Sequence, residues 1–221
     1  MSLARDGYAL VRKVLAAGDI AAALVQLDAM PATGAGSRNL LDTAWCRTLA
    51  THLKTHPAIA AALPAAAVAI QCTYFEKSTE RNWLVPLHQD LAVPAGARVD
   101  HPELGVWSEK QGQVFVQAPP SLLQDLLAVR VHLDPCAAEH GPLRVVAGSH
   151  RHGRLHDTAI ADLRANTGEV ACVAEAGAAL LMRPLLLHAS SKATRPNRRR
   201  VLHFLFAPPR PGYGLSWPHA V

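Results

Sequence analysis

The sequence predicts a mainly β fold with flanking helices, in which two facing antiparallel sheets make a jelly roll. Three observations lead there. Helical spacing is concentrated in the first third of the chain, the remainder is a series of short apolar or alternating runs, and sixteen prolines and fourteen glycines are scattered among them. Scattered turn formers suit short strands, and helices followed by strands argue against a parallel sheet with crossover helices. At 221 residues, half of them hydrophobic, the chain is long enough for one sizeable core. A single domain over 1–221 is expected, with helical elements in 15–64 and the β core in 66–210.

Ile20, Leu24 and Leu27 recur at helical spacing, and so do Trp45, Leu49 and Leu53, which predicts two amphipathic helices. Pro57 suits the first turn of a further short helix that ends near Pro64. Strands are then expected in AVAIQCTYFEK, QVFVQ, LLAVRVHLDP, PLRVVAG, GEVACV, GAALLMRP and RVLHFLFAPP, each bounded by glycine, proline or charge. One helix near Asp157 to Arg164 interrupts them. The stretch from Ala92 to Gly112 is polar and shows no regular pattern, so a lid or binding loop is expected there.

Composition narrows the function classes. Arg5, Asp6, Arg12, Lys13 and Asp19 in the first twenty residues argue against a signal peptide, and no apolar run reaches the length of a membrane span, so a cytoplasmic protein is expected. Cys46, Cys72, Cys136 and Cys172 lack paired spacing and read as reduced, buried thiols. The net charge of +5 is concentrated in one run, Arg195 to Arg200, without interleaved aromatic residues. Nucleic acid is therefore not expected as a partner. Oligomeric state is not legible.

The chemistry-bearing pattern is His88 and Asp90 in LVPLHQD, with His188 a hundred residues later in LLLHASS. Residues two apart on an extended strand face the same side, so His88 and Asp90 can converge. Two histidines and one carboxylate on one face of an octahedral ion leave positions open for cosubstrate and dioxygen, the ligand set of non-haem Fe(II) oxygenases. In a chain with twelve histidines, His-x-Asp alone is a weak signal. A competing pair, His150 and His152, shares the same two-residue spacing.

Further segments add weight. PNRRRVLHFLF follows His188, GPLRVVAGSHRHG precedes it, and Asp6-Gly7-Tyr8 with ALVRKVL opens the chain. With NWLVPLHQD, QVFVQAPP and LAVRVHLD between them, these segments make the chain resemble the phytanoyl-CoA dioxygenase family across almost its whole length. The resemblance implies a double-stranded β-helix of cupin-like topology, an opening strand after Gly7, and an Fe(II)- and 2-oxoglutarate-dependent dioxygenase. It implies His88, Asp90 and His188 as the iron ligands, and Arg199 as the grip on the far carboxylate of 2-oxoglutarate, with Arg198 as the nearest competitor. Ser190 resembles the small or hydroxyl residue that touches cosubstrate in relatives. His150 matches a structural or substrate-facing turn position. Asp90 favours hydroxylation, because halogenating relatives lack this carboxylate.

Lys77, Asn82 and Trp83, just upstream of the triad, are candidate substrate residues, as are Gln117 and Arg130, with His132 on the face of Arg130. Each of these, and Trp107, is as readily a packing or surface residue. The expected activity is hydroxylation of a small metabolite with release of succinate and carbon dioxide. The alternatives are a jelly-roll module without turnover and a cupin-like metalloenzyme that does not use 2-oxoglutarate.

Overall fold

The computed structural model describes residues 2–30, 37–195 and 198–221. A one-turn helix α1 (Leu3–Asp6) leads into strand β1 (Tyr8–Val11), followed by helices α2 (Ala17–Asp28), α3 (Ala44–Thr55) and α4 (Pro57–Ala60). The strands then follow in quick succession: β2 (Val68–Lys77), β3 (Val85–His88), β4 (Ala92–Ala95), β5 (Trp107–Lys110) and β6 (Gln113–Gln117). After the short helix α5 (Pro120–Leu123) come β7 (Leu127–His132) and β8 (Leu143–Val145). Helix α6 (Asp157–Thr167) precedes β9 (Val170–Cys172), β10 (Ala179–Met182), β11 (His188–Ser190) and β12 (Arg199–Ala207).

The strands form a five-stranded sheet in the order β1-β10-β7-β12-β2, a four-stranded sheet β3-β11-β8-β9, and a small sheet β4-β6-β5. Every pairing is antiparallel. Each sequence-predicted strand and each helix expected from apolar spacing is present.

Two expectations need correction, and one strand had none. Ala92 to Gly112 is not wholly irregular: it contributes β4 and β5, which flank β6. Pro94 within β4 and the brevity of both strands hid the two-residue period. The strand carrying His88 stops there, so Asp90 lies beyond it. Finally, the chain around His188, too short and uniformly apolar to show a period, forms β11.

Period-two alternation separates two cores. On the five-stranded sheet, Val129, Val131, Leu181, Leu202, Phe204 and Phe206 face outward beneath α2 and α3, meeting Leu27, Cys46, Ala50 and Leu53. The helices' apolar stripes thereby find their partner, and each fully buried leucine contributes about 1.5–3 kcal/mol. The opposite face, with Ala128, Leu180, Met182 and Leu205, packs with Leu143 and Val145 of the second sheet. At one end of this inner space the apolar residues give way to polar ones. There the same alternation turns Lys77, Arg130, His132, Arg199 and His203 inward, where an open cavity separates the sheets.

Candidate metal centre

His188 is the cross-strand partner of His88, so pairing of β11 with β3 brings the two imidazoles together, with ring centroids 4.2 Å apart. Asp90 then closes the group. Its backbone N–H donates to the Pro184 carbonyl at 3.0 Å. Gln89, between the two, points the other way. It donates to the carbonyls of Gly153 and Leu185 and accepts from the backbone of Leu155. The alternation predicted for His88 and Asp90 is thus held by Gln89, although the regular strand has ended.

The Asp90 carboxylate lies 3.7 Å from Nε2 of His88 and 3.6 Å from Nε2 of His188. Each imidazole donates from Nδ1 to a carbonyl two residues upstream, His88 to Pro86 at 2.8 Å and His188 to Leu186 at 2.9 Å. That tautomer leaves both Nε2 lone pairs aimed at the same space, the arrangement metal-bound histidines need. One ligand atom from each of the three residues lies within 4.8 Å of the others. No other group of three such residues meets this test among the described residues. The donor set therefore fits a divalent ion.

Electrostatics agree with the geometry. Burial pushes the Asp90 carboxyl upward, but the charge of His188 and contact with His88 outweigh it and hold the group well below the ordinary carboxylate range. Burial lowers His188, with Asp90 offsetting only part. For His88 burial is outweighed by Asp90, and the group is raised.

Beyond His188 along β11 lies a cationic end of the cavity. Arg199 and Lys77 are cross-strand partners on β12 and β2, and both are almost fully buried. The Lys77 ammonium donates to Ser190 Oγ at 2.8 Å and the Ser191 carbonyl at 2.6 Å, and stands 5.4 Å from the centre of the Trp83 ring. Arg199 and Ser190 both donate to the Gly141 carbonyl, and Arg199 Nε has no partner among the described residues. Like charges directly opposite repel. Burial, then the charges of Arg199 and Arg130, bring the Lys77 pKa down to about 7. Chemically, a guanidinium beside an ammonium can receive a carboxylate.

The neighbouring arginines take other partners. Arg198 donates to Glu76 at 2.8 Å and Asp28 at 3.0 Å, outside the cavity lining. Arg200 forms a two-pronged pair with Asp134. Of the substrate candidates, Lys77, Trp83, Gln117 and Arg130 line the cavity. Asn82 does not; it brackets the backbone of Ala193 with two hydrogen bonds. His150 lies apart from the triad, with its Nε2 3.3 Å from the Ala4 carbonyl. The four cysteines are buried and free.

The cavity, about 550 Å³, is also lined by Arg38, Thr73, Phe75, Lys110, Phe115 and His203, none singled out from sequence. The signal for Phe75 and Thr73 was their spacing of two and four residues from Lys77, and for His203 its spacing of four from Arg199. Arg38 and Lys110 carried none.

Residues 3–201 match the model of the phytanoyl-CoA dioxygenase family (PhyH). The chain belongs to that family. As a member it is a 2-oxoglutarate-dependent non-haem iron enzyme on a double-stranded β-helix. No curated protein matches it in sequence. Among solved structures, the non-haem α-ketoglutarate-dependent epimerase SnoN from nogalamycin biosynthesis is 17% identical, with a TM-score of 0.66 over 93% of this chain and 77% of that one. HygX from Streptomyces hygroscopicus, solved with nickel and 2-oxoglutarate, is 15% identical with a TM-score of 0.63, covering 93% and 84%. AviO1 from Streptomyces viridochromogenes is 22% identical with a TM-score of 0.62, covering 95% and 93%. At these identities the likeness to the three structures is one of fold.

Proposed function

We propose that His88, Asp90 and His188 hold Fe(II) and that Arg199, with Lys77 and Ser190, takes the far carboxylate of 2-oxoglutarate, so that the enzyme hydroxylates a small molecule. The observation that carries this reading is a three-donor cluster sharing one cavity with the buried Arg199 guanidinium, which meets no carboxylate among the described residues. His188 and Ser190 are two residues apart on β11, about 7 Å of strand. A five-carbon diacid can therefore chelate the metal at one end and reach the cationic end with the other. When bound, Fe(II) with 2-oxoglutarate and dioxygen supplies the oxidising chemistry, releasing succinate and carbon dioxide.

The chain's own residues do the rest. Carbonyls of Pro86 and Leu186 keep the Nδ1 protons of His88 and His188, so that Nε2 stays available. Gln89 holds the turn that presents Asp90. Phe75, Leu126, Leu143 and Met182 give the cavity part of its lining as apolar surface. Asp90 fills the third protein position on the metal, which favours hydroxylation over halogenation. A small-molecule substrate accords with the cavity volume, which is in the range of small-ligand pockets, and with HygX, whose structure includes hygromycin B. No helix among the described residues is long and apolar enough to cross a membrane. A cytoplasmic location is part of this proposal, supported by four buried cysteines that are all free thiols.

The test is anaerobic titration of the Fe(II)-loaded protein with 2-oxoglutarate, reading the visible charge-transfer band of the chelate. His188→Ala is expected to abolish the band, and Arg199→Ala to keep it while raising the required 2-oxoglutarate about tenfold or more. A folded, iron-loaded protein without the band would favour a cupin-like enzyme that does not use 2-oxoglutarate.

A further inference from the structure

The cavity holds more positive charge than metal and cosubstrate account for. Arg38, Lys77, Lys110, Arg130 and Arg199 line it, against a single carboxylate, Asp90. A divalent ion and the 2-oxoglutarate dianion cancel one another, leaving that imbalance as it was. Residues 31–36 and 196–197 include no acidic residue that could correct it.

Arg130 is where the imbalance is sharpest. It stands on β7 opposite His203 of β12, four residues along that strand from Arg199, about 13 Å of extended chain. Its side chain is 7% exposed, and no carboxylate pairs with it among the described residues. The guanidinium lies 5.2 Å from the centre of the Phe75 ring. Among the described residues its one hydrogen bond is a long one, 3.5 Å to Nδ1 of His203, and its Nε has no partner. Burial, then the charge of Arg199, pushes its pKa down to about 9, and His203 is lowered to about 4 by burial and by Arg130, so that it meets the guanidinium as a neutral imidazole. A guanidinium offers five N–H donors in a planar fork, and leaving them unmet in a buried site is unfavourable. Arg199, Lys77 and Ser190 already make a complete carboxylate site at the other end.

We infer that Arg130 is a substrate-binding residue, receiving a carboxylate on the compound the enzyme oxidises, whose body lies toward Phe75 and Phe115. The inference rests on the placement of iron and 2-oxoglutarate proposed above. A carboxylate is favoured over a phosphate because the fork is planar and lies against the Phe75 ring in a cavity also lined by the apolar Leu126 and Met182, where a singly charged group is more easily desolvated. Arg38 and Lys110 add positive potential along the same cavity, which draws anions in.

The experiment uses the full chain, loaded anaerobically with Fe(II) and 2-oxoglutarate. Acetate, benzoate and 3-phenylpropionate are titrated by calorimetry at fixed ionic strength, with benzamide and inorganic phosphate as the other arms. At least one carboxylate is expected to bind saturably, about tenfold or more tighter than benzamide. Arg130→Gln is expected to weaken that binding about tenfold or more while 2-oxoglutarate affinity stays within about twofold. Arg130→Lys should recover part of the loss. Without added anions, Arg130→Gln should unfold at no lower temperature than the wild type, since it removes an uncompensated buried charge. Carboxylates that do not bind, that bind no better than benzamide, or that bind the variant equally well would overturn the inference. So would tighter binding of phosphate, or a loss of 2-oxoglutarate affinity in the variant, which would assign Arg130 to the cosubstrate. Absence of the chelate band in the wild type, seen before any probe is added, would remove the underlying reading and this role with it.

Discussion

Single residues at this site are specified by what surrounds them more than by their type. Three arginines in succession, Arg198, Arg199 and Arg200, have different environments because β12 begins at Arg199 and alternates from there. Only the middle one enters the cavity, while its neighbours meet Glu76, Asp28 and Asp134. Lys77 shows how environment becomes chemistry. With its pKa brought down to about 7, it is charged below that pH and progressively neutral above it. A dicarboxylate bound beside it raises that pKa, so above pH 7 binding takes up a proton and weakens as pH rises. Below pH 7 the ammonium is already formed, and this source of pH dependence vanishes. The 2-oxoglutarate dissociation constant, measured anaerobically, should therefore rise from pH 7 to pH 9, and Lys77→Met should bind more weakly with a flatter profile. An unchanged profile in the variant would remove Lys77 from the cosubstrate site.

At the scale of elements, the site depends on two registers and one turn. Pairing of β3 with β11 sets His88 opposite His188, and the register then shifts so that Ser190 faces Val85; such an irregularity re-aims side chains beside a site. The β12 to β2 register sets Arg199 opposite Lys77. Gly141 joins the two sheets, because its carbonyl accepts from both Ser190 and Arg199. It sits at φ +62°, and a Cβ there would collide with the Ser191 carbonyl, which itself receives the Lys77 ammonium. Gly141→Ala should cost about 1–2 kcal/mol in backbone strain alone and displace the acceptor of Lys77. Affinity for 2-oxoglutarate should fall about tenfold with Fe(II) affinity little altered, as read from the same band. Equal loss of iron would mean that the turn supports the whole barrel and not one end of it.

Much of this was legible in the sequence, for identifiable reasons. Strands such as β2, β7 and β12 run over six or more residues, so their existence could be read, and period two sets Arg130 with His132 on one face and Arg199 apart from its neighbours. Elements of three or four residues, β4, β5 and β11, are too short to display a period. The role of Gln89 was invisible because its partners, Gly153, Leu155 and Leu185, are more than sixty residues away. Arg38 and Lys110 reach the cavity through tertiary placement that no local spacing encodes.

For the whole molecule, an inner sheet face that turns from apolar to cationic makes stability depend on pH. His132 is buried on that face, its Nδ1 without a partner among the described residues. Burial, with the charges of Arg130 and Arg199, brings its pKa down to about 3, against about 6.5 in an unfolded chain. Between those values the unfolded state binds a proton that the folded state does not, so stability falls as pH drops through 6.5 and continues falling toward 3. Near pH 5 this one group should cost about 1–2 kcal/mol, or several degrees in unfolding temperature for a chain of this size. His132→Leu removes the imidazole without adding a polar group. Thermal unfolding of the two proteins at pH 8 and pH 5 should show the gap moving in favour of the variant by that amount at the lower pH. A gap that does not change with pH would mean that the folded protein accepts a proton on His132, and that the cationic end of the cavity is more open to water than its burial implies.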